Sequence, residues 1–253
     1  MNTDRLPERL PGLGPRDVVI LLGAYADQAW IDANGAAARA LNVDATWRCA
    51  NDVIDAGARL IFMSSEAVFS GDGEDGHNED ASPNPVSRYG ELKAEAEARL
   101  RSLDAAVRIT RAGWIVAADE RRRCPVRQTY AALLGGRARM ATDNLLTVTD
   151  IADVVAGLLE LTGTGAGGVF HLSANPPVGR SELADLIIAD SVRGPEMRYR
   201  PARFADLPLA GARPRAAWLD SRRTWARLGL GFRHPHEVIR RKTMVLDRLP
   251  SPD

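Results

Sequence analysis

The chain has 253 residues with an ordinary apolar share, enough for one sizeable α/β core with or without a small lobe, and this excludes intrinsic disorder as its default state. Thirty-three basic residues balance thirty-three acidic ones, so no whole-molecule field draws it to nucleic acid or an anionic membrane. The opening residues, with Asp4, Arg5, Glu8 and Arg9, lack the apolar core of a signal peptide, and the longest apolar run, Val18 to Ala26, is too short to span a bilayer.

The first predicted element is a strand at Asp17-Val18-Val19-Ile20-Leu21-Leu22, a β-branched run of the kind buried on both faces of a parallel sheet. Gly12-Leu13-Gly14-Pro15 before it reads as a turn. Ile31 to Asp55 is Ala-rich with helical apolar spacing and Gly57 at the C-terminal cap position, and Arg59-Leu60-Ile61-Phe62-Met63 is the next strand. Strand, helix and strand imply a parallel crossover.

Gly71 to Pro83 is a polar loop, after which Asn84 is the expected cap and Pro85 the expected first residue of a helix carrying Leu92, Ala96 and Leu100. A short strand follows at Val107-Arg108-Ile109-Thr110, then a helix at Arg127 to Leu134. Thr149-Asp150 caps an apolar helix, Ile151 to Leu161, ahead of the strand Gly168-Val169-Phe170-His171-Leu172. The tail predicts helices near Ser181 to Asp190 and His236 to Leu249. The expected domains are a core over 1–172, to which 117–142 adds part of a second lobe, and a small lobe over 173–253.

Cys49, on a predicted helix, and Cys124, in a predicted loop, show no metal-ligand spacing, and reduced thiols of a cytoplasmic protein fit them best. Arg121-Arg122-Arg123 reads as a solvated loop. His171 alternates with apolar neighbours and is expected to be a satisfied core residue; His234 and His236 flank Pro235 at a helix start. Gly163 to Gly168 satisfies GxGxxG literally but leads from helix to strand, the wrong order for phosphate binding, and is expected to be a plain loop.

Tyr89-Gly90-Glu91-Leu92-Lys93 carries the chemistry. Four residues apart on a helix, a phenol and an ammonium share one face, and a nearby cation favours the phenolate, drawing its pKa down toward neutrality. By itself the spacing also suits a solvated helical face. Ser64-Ser65, however, follow a strand at the carboxyl end of a parallel sheet, where ligands are met. A hydroxyl there can bind the oxygen that the tyrosine protonates.

Together with Asp17-Val18-Val19-Ile20 through Gly23-Ala24-Tyr25, Met63-Ser64-Ser65-Glu66-Ala67-Val68-Phe69-Ser70-Gly71, Arg111-Ala112-Gly113-Trp114, Asp150-Ile151-Ala152, Phe170-His171-Leu172-Ser173 and Arg213-Pro214 with Leu219-Asp220, these residues resemble the dTDP-4-dehydrorhamnose reductases. Those are extended short-chain dehydrogenase/reductases of the sugar-nucleotide-binding kind. The resemblance implies an α/β, Rossmann-like, doubly wound parallel sheet with a small C-terminal substrate lobe. It implies Tyr89 as proton donor, Lys93 as the group tuning it and holding the nicotinamide ribose, and Ser65 as the group orienting the carbonyl. Gly23, Ala24 and Tyr25 would line the groove for NADP or NAD, while Glu66 and Trp114 would border the substrate, a nucleotide sugar.

The family begins with strand, GxxGxxG turn and helix, whose glycines admit a pyrophosphate. This chain reaches Asp17 without such a unit, and is expected to be N-terminally truncated, with a sheet edge for a partner chain or a second copy to cover. Ala67 stands where relatives often carry a substrate-contacting tyrosine, and the segment Asp143 to Thr147 is shorter than theirs. The alternative is a non-catalytic regulatory or binding subunit derived from such a reductase. Neither nucleic acid, membrane nor metal is expected.

Overall fold

A computed structural model describes residues 10–71, 75–103, 106–117, 124–208 and 213–249. The basic triplet Arg121-Arg122-Arg123 lies outside them.

The central sheet has four parallel strands: β1 (Val18–Leu21), β2 (Arg59–Ser65), β3 (Arg108–Ala112) and β8 (Gly168–His171), adjacent in that order. Alternation along β2 sends successive side chains to opposite faces, and both faces are covered. Leu60 and Phe62 meet Ala50 and Val53 of the preceding helix, Ala96 and Leu100 of the following one, and Ile109 of β3. Ile61 packs with Val154, Leu158, Leu161 and Phe170 on the other face. The result is the expected Rossmann-like layering of helix, parallel sheet and helix.

The helical region before β2 departs from the single helix expected over Ile31 to Asp55. It runs as α1 (Gln28–Ala33), α2 (Gly35–Arg39), a π turn (Ala40–Asp44) and α3 (Ala45–Asp55). Asp27 caps α1, its carboxylate accepting from the Trp30 N–H, and Asn34 interrupts the chain before α2. The π turn turns Asn42 inward, where it has a task described below. Gly57 does follow α3 in a left-handed conformation (φ 75°), with Ala58 N–H bonded to Val53 C=O as in a Schellman ending.

The next helix, α4 (Arg88–Leu103), begins three residues later than the Asn84-Pro85 pair suggested. Ser87 is the cap, its hydroxyl accepting from the Gly90 N–H at 3.1 Å. Asn84 instead ties down the preceding loop, bonding both the main chain and the hydroxyl of Ser70.

Beyond β3, the pair β4 (Trp114–Val116) and β7 (Val148–Asp150), the pair β5 (Ala138–Ala141) and β10 (Tyr199–Ala202), and the pair β6 (Leu145–Leu146) and β9 (Val178–Gly179) form three small sheets. Helices α5 (Pro125–Leu134), α7 (Arg180–Asp190) and α9 (Pro235–Leu246) pack around a separate apolar cluster that includes Val126, Leu133, Val148, Leu183, Ile187 and Ile239. Asp150 caps α6 (Ile151–Gly163) as expected, and the literal GxGxxG run is the loop from α6 to β8. The short helix α8 (Arg222–Leu228) packs on the central sheet through Leu228. No helix among the described residues is long and apolar enough to cross a membrane.

Candidate active site

Ser65 ends β2, at the carboxyl edge of the sheet, and its hydroxyl accepts from the Ala67 N–H at 3.2 Å, opening a short 3-10 turn (Glu66–Val68). That turn is the platform on which α4 docks. A Cβ at Gly90 would lie 2.0 Å from the Ala67 carbonyl oxygen, so only glycine permits the approach. The approach sets Tyr89 beside Ser65, close enough for the serine hydroxyl to act on the phenol's pKa.

Lys93, one turn on, is not a solvated charge: it is 2 % exposed. Its ammonium donates to the Met63 carbonyl at 2.8 Å and lies 4.6 Å from the Phe62 ring centroid and 6.0 Å from that of Tyr89. Burial pulls its pKa down to about 8, against the opposing pull of Glu97 one turn further along α4. The phenol behaves differently from the expectation. Burial raises Tyr89 to about 12, with the neighbouring Ser65 hydroxyl acting in the opposite sense, so desolvation dominates. A phenol in this state holds its proton and can donate it.

These groups open onto a cavity of about 190 Å³ whose wall includes Ser65, Glu66, Tyr89, Trp114, Asn144 and Arg180. Glu66 is 7 % exposed, and burial raises its carboxyl to about 8, with the Thr147 hydrogen bond and the charge of Arg213 pulling the other way. Thr147 donates to Glu66 Oε2 at 2.7 Å. Gly113 makes room for this pair, since a Cβ there would fall 1.6 Å from Thr147 Oγ1 and 2.5 Å from Glu66 Oε2. Trp114, at the start of β4, carries the guanidinium of Arg180 at 4.7 Å from its ring centroid and that of Arg213 at 5.3 Å.

Gly23, Ala24 and Tyr25 lie elsewhere. They are exposed beyond the end of β1 and line a second groove of about 440 Å³ with Leu21, Leu41, Ala45, Thr46 and Cys49. Asn42 fixes this segment, accepting from the Tyr25 N–H at 2.8 Å and donating to its C=O at 3.1 Å. Ala26 and Gln28, next along the chain, line the first cavity, so one continuous stretch of backbone connects the two. The groove's wall is largely apolar and its main chain is fixed. Among its lining residues there is no cation and no glycine turn opening a helix, the features a pyrophosphate requires.

Of the residues singled out in the sequence, Ser65, Glu66, Tyr89 and Trp114 line one cavity, and Lys93 is buried one helical turn on from Tyr89. It missed Asn42, Thr147 and Arg180. Nothing in periodicity marks an inward polar residue at a π turn or a threonine that meets a glutamate 81 positions away. His171, expected to be satisfied, is only half so: one ring nitrogen meets the Asp220 carbonyl at 3.2 Å, while Nε2 has no partner among the described residues. Burial and the Arg111 charge lower its pKa to about 3, so it is neutral.

A family model described as the RmlD substrate binding domain matches residues 5–245. The chain belongs to that family. Among relatives of the RmlD substrate-binding-domain chain, methionine adenosyltransferase 2 subunit beta of Bos taurus is 30% identical over 215 residues, which are 80% of this chain and 62% of that one. The chain thus spans less than two thirds of that relative's length. A dTDP-4-dehydrorhamnose reductase of Mycobacterium tuberculosis is 28% identical over 248 residues, covering 93% of this chain and 81% of the reductase. The crystal structure of a dTDP-4-dehydrorhamnose reductase from Bacillus anthracis in complex with NADP superimposes with a TM-score of 0.77 at 21% identity, covering 90% of this chain and 80% of that one. That likeness establishes the fold.

Proposed function

We propose that the chain reduces a keto group on a nucleotide-activated sugar, or a related metabolite, with NADPH or NADH. The observation that carries this reading is that the Ser65 and Tyr89 hydroxyls line one cavity together, with a buried lysine one helical turn on from the tyrosine. Ser65 and Tyr89 would both donate to the substrate carbonyl oxygen, fixing it at the mouth of β2. As negative charge develops on that oxygen, the Tyr89 proton moves to it, and the ammonium of Lys93 stabilises the phenolate left behind. Glu66 and Trp114 border the sugar. Gly23, Ala24, Tyr25 and Lys93 would hold the nicotinamide half of the coenzyme, which when bound supplies the hydride. The lobe over 173–253, joined by 117–142, would close over the substrate, opposite the core over 1–172. A cytoplasmic location suits this chemistry.

The direct test is to follow loss of reduced-nicotinamide absorbance with a dTDP-4-keto-6-deoxy sugar. Turnover that disappears in Tyr89→Phe supports the reading; its absence from folded wild-type chain, with no coenzyme binding by fluorescence, sinks it for this chain. A second reading, a non-catalytic binding or regulatory subunit, is favoured by the exposed, cation-free coenzyme groove and by the likeness to methionine adenosyltransferase 2 subunit beta. In that role the edge of β1, unpaired among the described strands, would meet a partner chain or a second copy. Partner binding unaffected by Tyr89→Phe, in a chain that binds no nicotinamide coenzyme, would favour it.

A further inference from the structure

The two-stranded sheet of β5 and β10 has faces of opposite character. Ala138 and Met140 on β5 belong to the core cluster of the small lobe, and Tyr199 on β10 packs against it. The residues that alternate with them, Arg139 and Arg200, are exposed, as are Arg137 and Arg198 one step before each strand. The parallel register sets Arg200 opposite Arg139, and with Tyr199 opposite Ala138 it carries Arg198 to the level of Arg137. Arg203, exposed just beyond β10, adds a fifth cation. Strand geometry spaces the two arginines of a row about 4.8 Å apart along the backbone hydrogen bonds, and the two rows about 6.6 Å apart along the strands.

This arrangement does not serve the fold. Like charges directly opposite one another on neighbouring strands are destabilising. None of the five arginines forms an ion pair among the described residues, whereas Arg193, Arg222 and Arg223 each hold a carboxylate. The hydrogen bonds they do make, from Arg139 to the Asp206 carbonyl and from Arg198 to the Met197 carbonyl, leave the charge in place. None of them lines the catalytic cavity. The whole chain is balanced in charge, so the excess is local to this face. Exposed carboxylates bound it at both ends, Glu196 ahead of β10 and Asp206 past Arg203.

We propose that the outer face of the β5–β10 ribbon is a docking surface for an extended acidic segment of a protein partner, one with carboxylates at alternate positions. Charge and period both match. An extended chain rises about 3.3 Å per residue, so its alternate side chains fall about 6.6 Å apart, the step between the two arginine rows. Each carboxylate then meets a pair of guanidiniums, whose planar forks suit it. The short span between Glu196 and Asp206 selects a ligand of few charges, and a longer phosphate chain would run on over those carboxylates. A nucleic-acid single strand also stacks its bases on aromatic side chains. Exposed Tyr25 and Trp47 lie after β1 and on α3, and Tyr199 of the ribbon is half-buried with its hydroxyl given to Asp185. The inference goes beyond the catalytic reading, and holds whether the chain is a reductase or a binding subunit.

The test is fluorescence anisotropy with the whole chain at about 20 mM salt, where surface charges are little screened. The probes are a labelled peptide of alternating glutamate and threonine, the same composition with its glutamates in one block, the glutamine counterpart, and an oligothymidylate of equal charge. Wild type should bind the alternating peptide and not its glutamine counterpart, with affinity falling as salt rises. Arg139→Glu and Arg200→Glu should each weaken that binding about fivefold or more, while circular dichroism shows the fold retained. Arg200→Gln, which only removes the charge, should fall between, and it serves if a reversal disturbs the ribbon. Arg240→Glu makes the same change of charge at an exposed position on α9 and should leave the affinity unaltered. The proposal is overturned if wild type does not bind the alternating peptide, or if folded ribbon variants bind it equally well. An equal loss in Arg240→Glu would reduce the effect to a diffuse field, and equal binding of the blocked peptide would remove the match of period; either result sinks it. So does tighter, ribbon-dependent binding of the oligothymidylate, which would make this a nucleic-acid surface instead.

Discussion

The two sides of β2 are built to different standards. At the end bearing Ser65, Tyr89 and Glu66, the glutamate is buried, the two hydroxyls are half-buried, and the packing around them admits no added atom at Gly90 or Gly113. Toward β1 the strand is half-buried throughout, the Gly23–Tyr25 segment is exposed, and Leu22, Tyr25, Leu41 and Trp47 show large apolar surface. One side is closely packed around the candidate site; the other, among the described residues, leaves apolar surface exposed. The contrast teaches that retention of a catalytic constellation and completeness of a coenzyme site are separate properties, and each can be tested without the other.

The sharpest test of the closed side is Tyr89→Phe, which keeps the ring and removes the proton. Ketone reduction should fall by about 10²-fold to 10⁴-fold, with dTDP affinity unchanged by calorimetry. Lys93→Met should lower turnover by roughly 10²-fold. In wild type the phenolate-stabilising charge is lost as pH rises through about 8, so the rate should decline above that value, and the decline should vanish in the variant.

Next in size is the stability of the closed side. Glu97 accepts from Arg111 at 2.9 and 2.7 Å and from Arg101 at 2.6 Å, all but the last within the protein interior, and it belongs to the helix bearing Tyr89. Breaking that pair with Glu97→Gln should cost about 3–5 kcal/mol in denaturant unfolding. Glu66→Gln should act in the opposite direction, and only at higher pH. The folded pKa of Glu66 is raised from 4.5 to about 8, so the folded state binds the extra proton between those values. Its ionisation therefore costs stability progressively across that window and fully above it. The variant should match wild type below pH 4.5 and melt higher above pH 8, each ~1 kcal/mol gained appearing as roughly 2–4 °C. The smallest effect is expected on the open side, where Leu22→Lys should change stability by less than about 0.5 kcal/mol; a larger loss would mean that the flank is already covered in solution.

The alternating and capping signals that made the fold legible are local ones. Strands β1, β2, β3 and β8 announce themselves by β-branched runs, and Asp150 and Gly57 punctuate their helices as their chemistry requires. Where the reading slipped, a contact remote in sequence had decided the matter. Asn84 is a good cap in isolation, but Ser70 claims its side chain and Ser87 takes the role. The helix over Ile31 to Asp55 looks continuous because alanine favours any helical turn, while the inward Asn42 reflects its bond to Tyr25. The Tyr89 and Lys93 spacing was visible, but the protonation state of each depends on burial, which no spacing encodes.

Gly90 has a consequence for protein engineering. The carbonyl of Ala67 occupies the space that a methyl group would need, at 2.0 Å, so the glycine acts as a gauge block setting the gap between the strand end and the helix. A Tyr-x-x-x-Lys pair transplanted onto another scaffold would inherit the right spacing along its helix and still lack the gap across to the serine. A designer copying this site should therefore transfer five residues together with the turn they rest on, and should test a serine or alanine at the second position as a deliberate way to open the distance between the two hydroxyls in small steps.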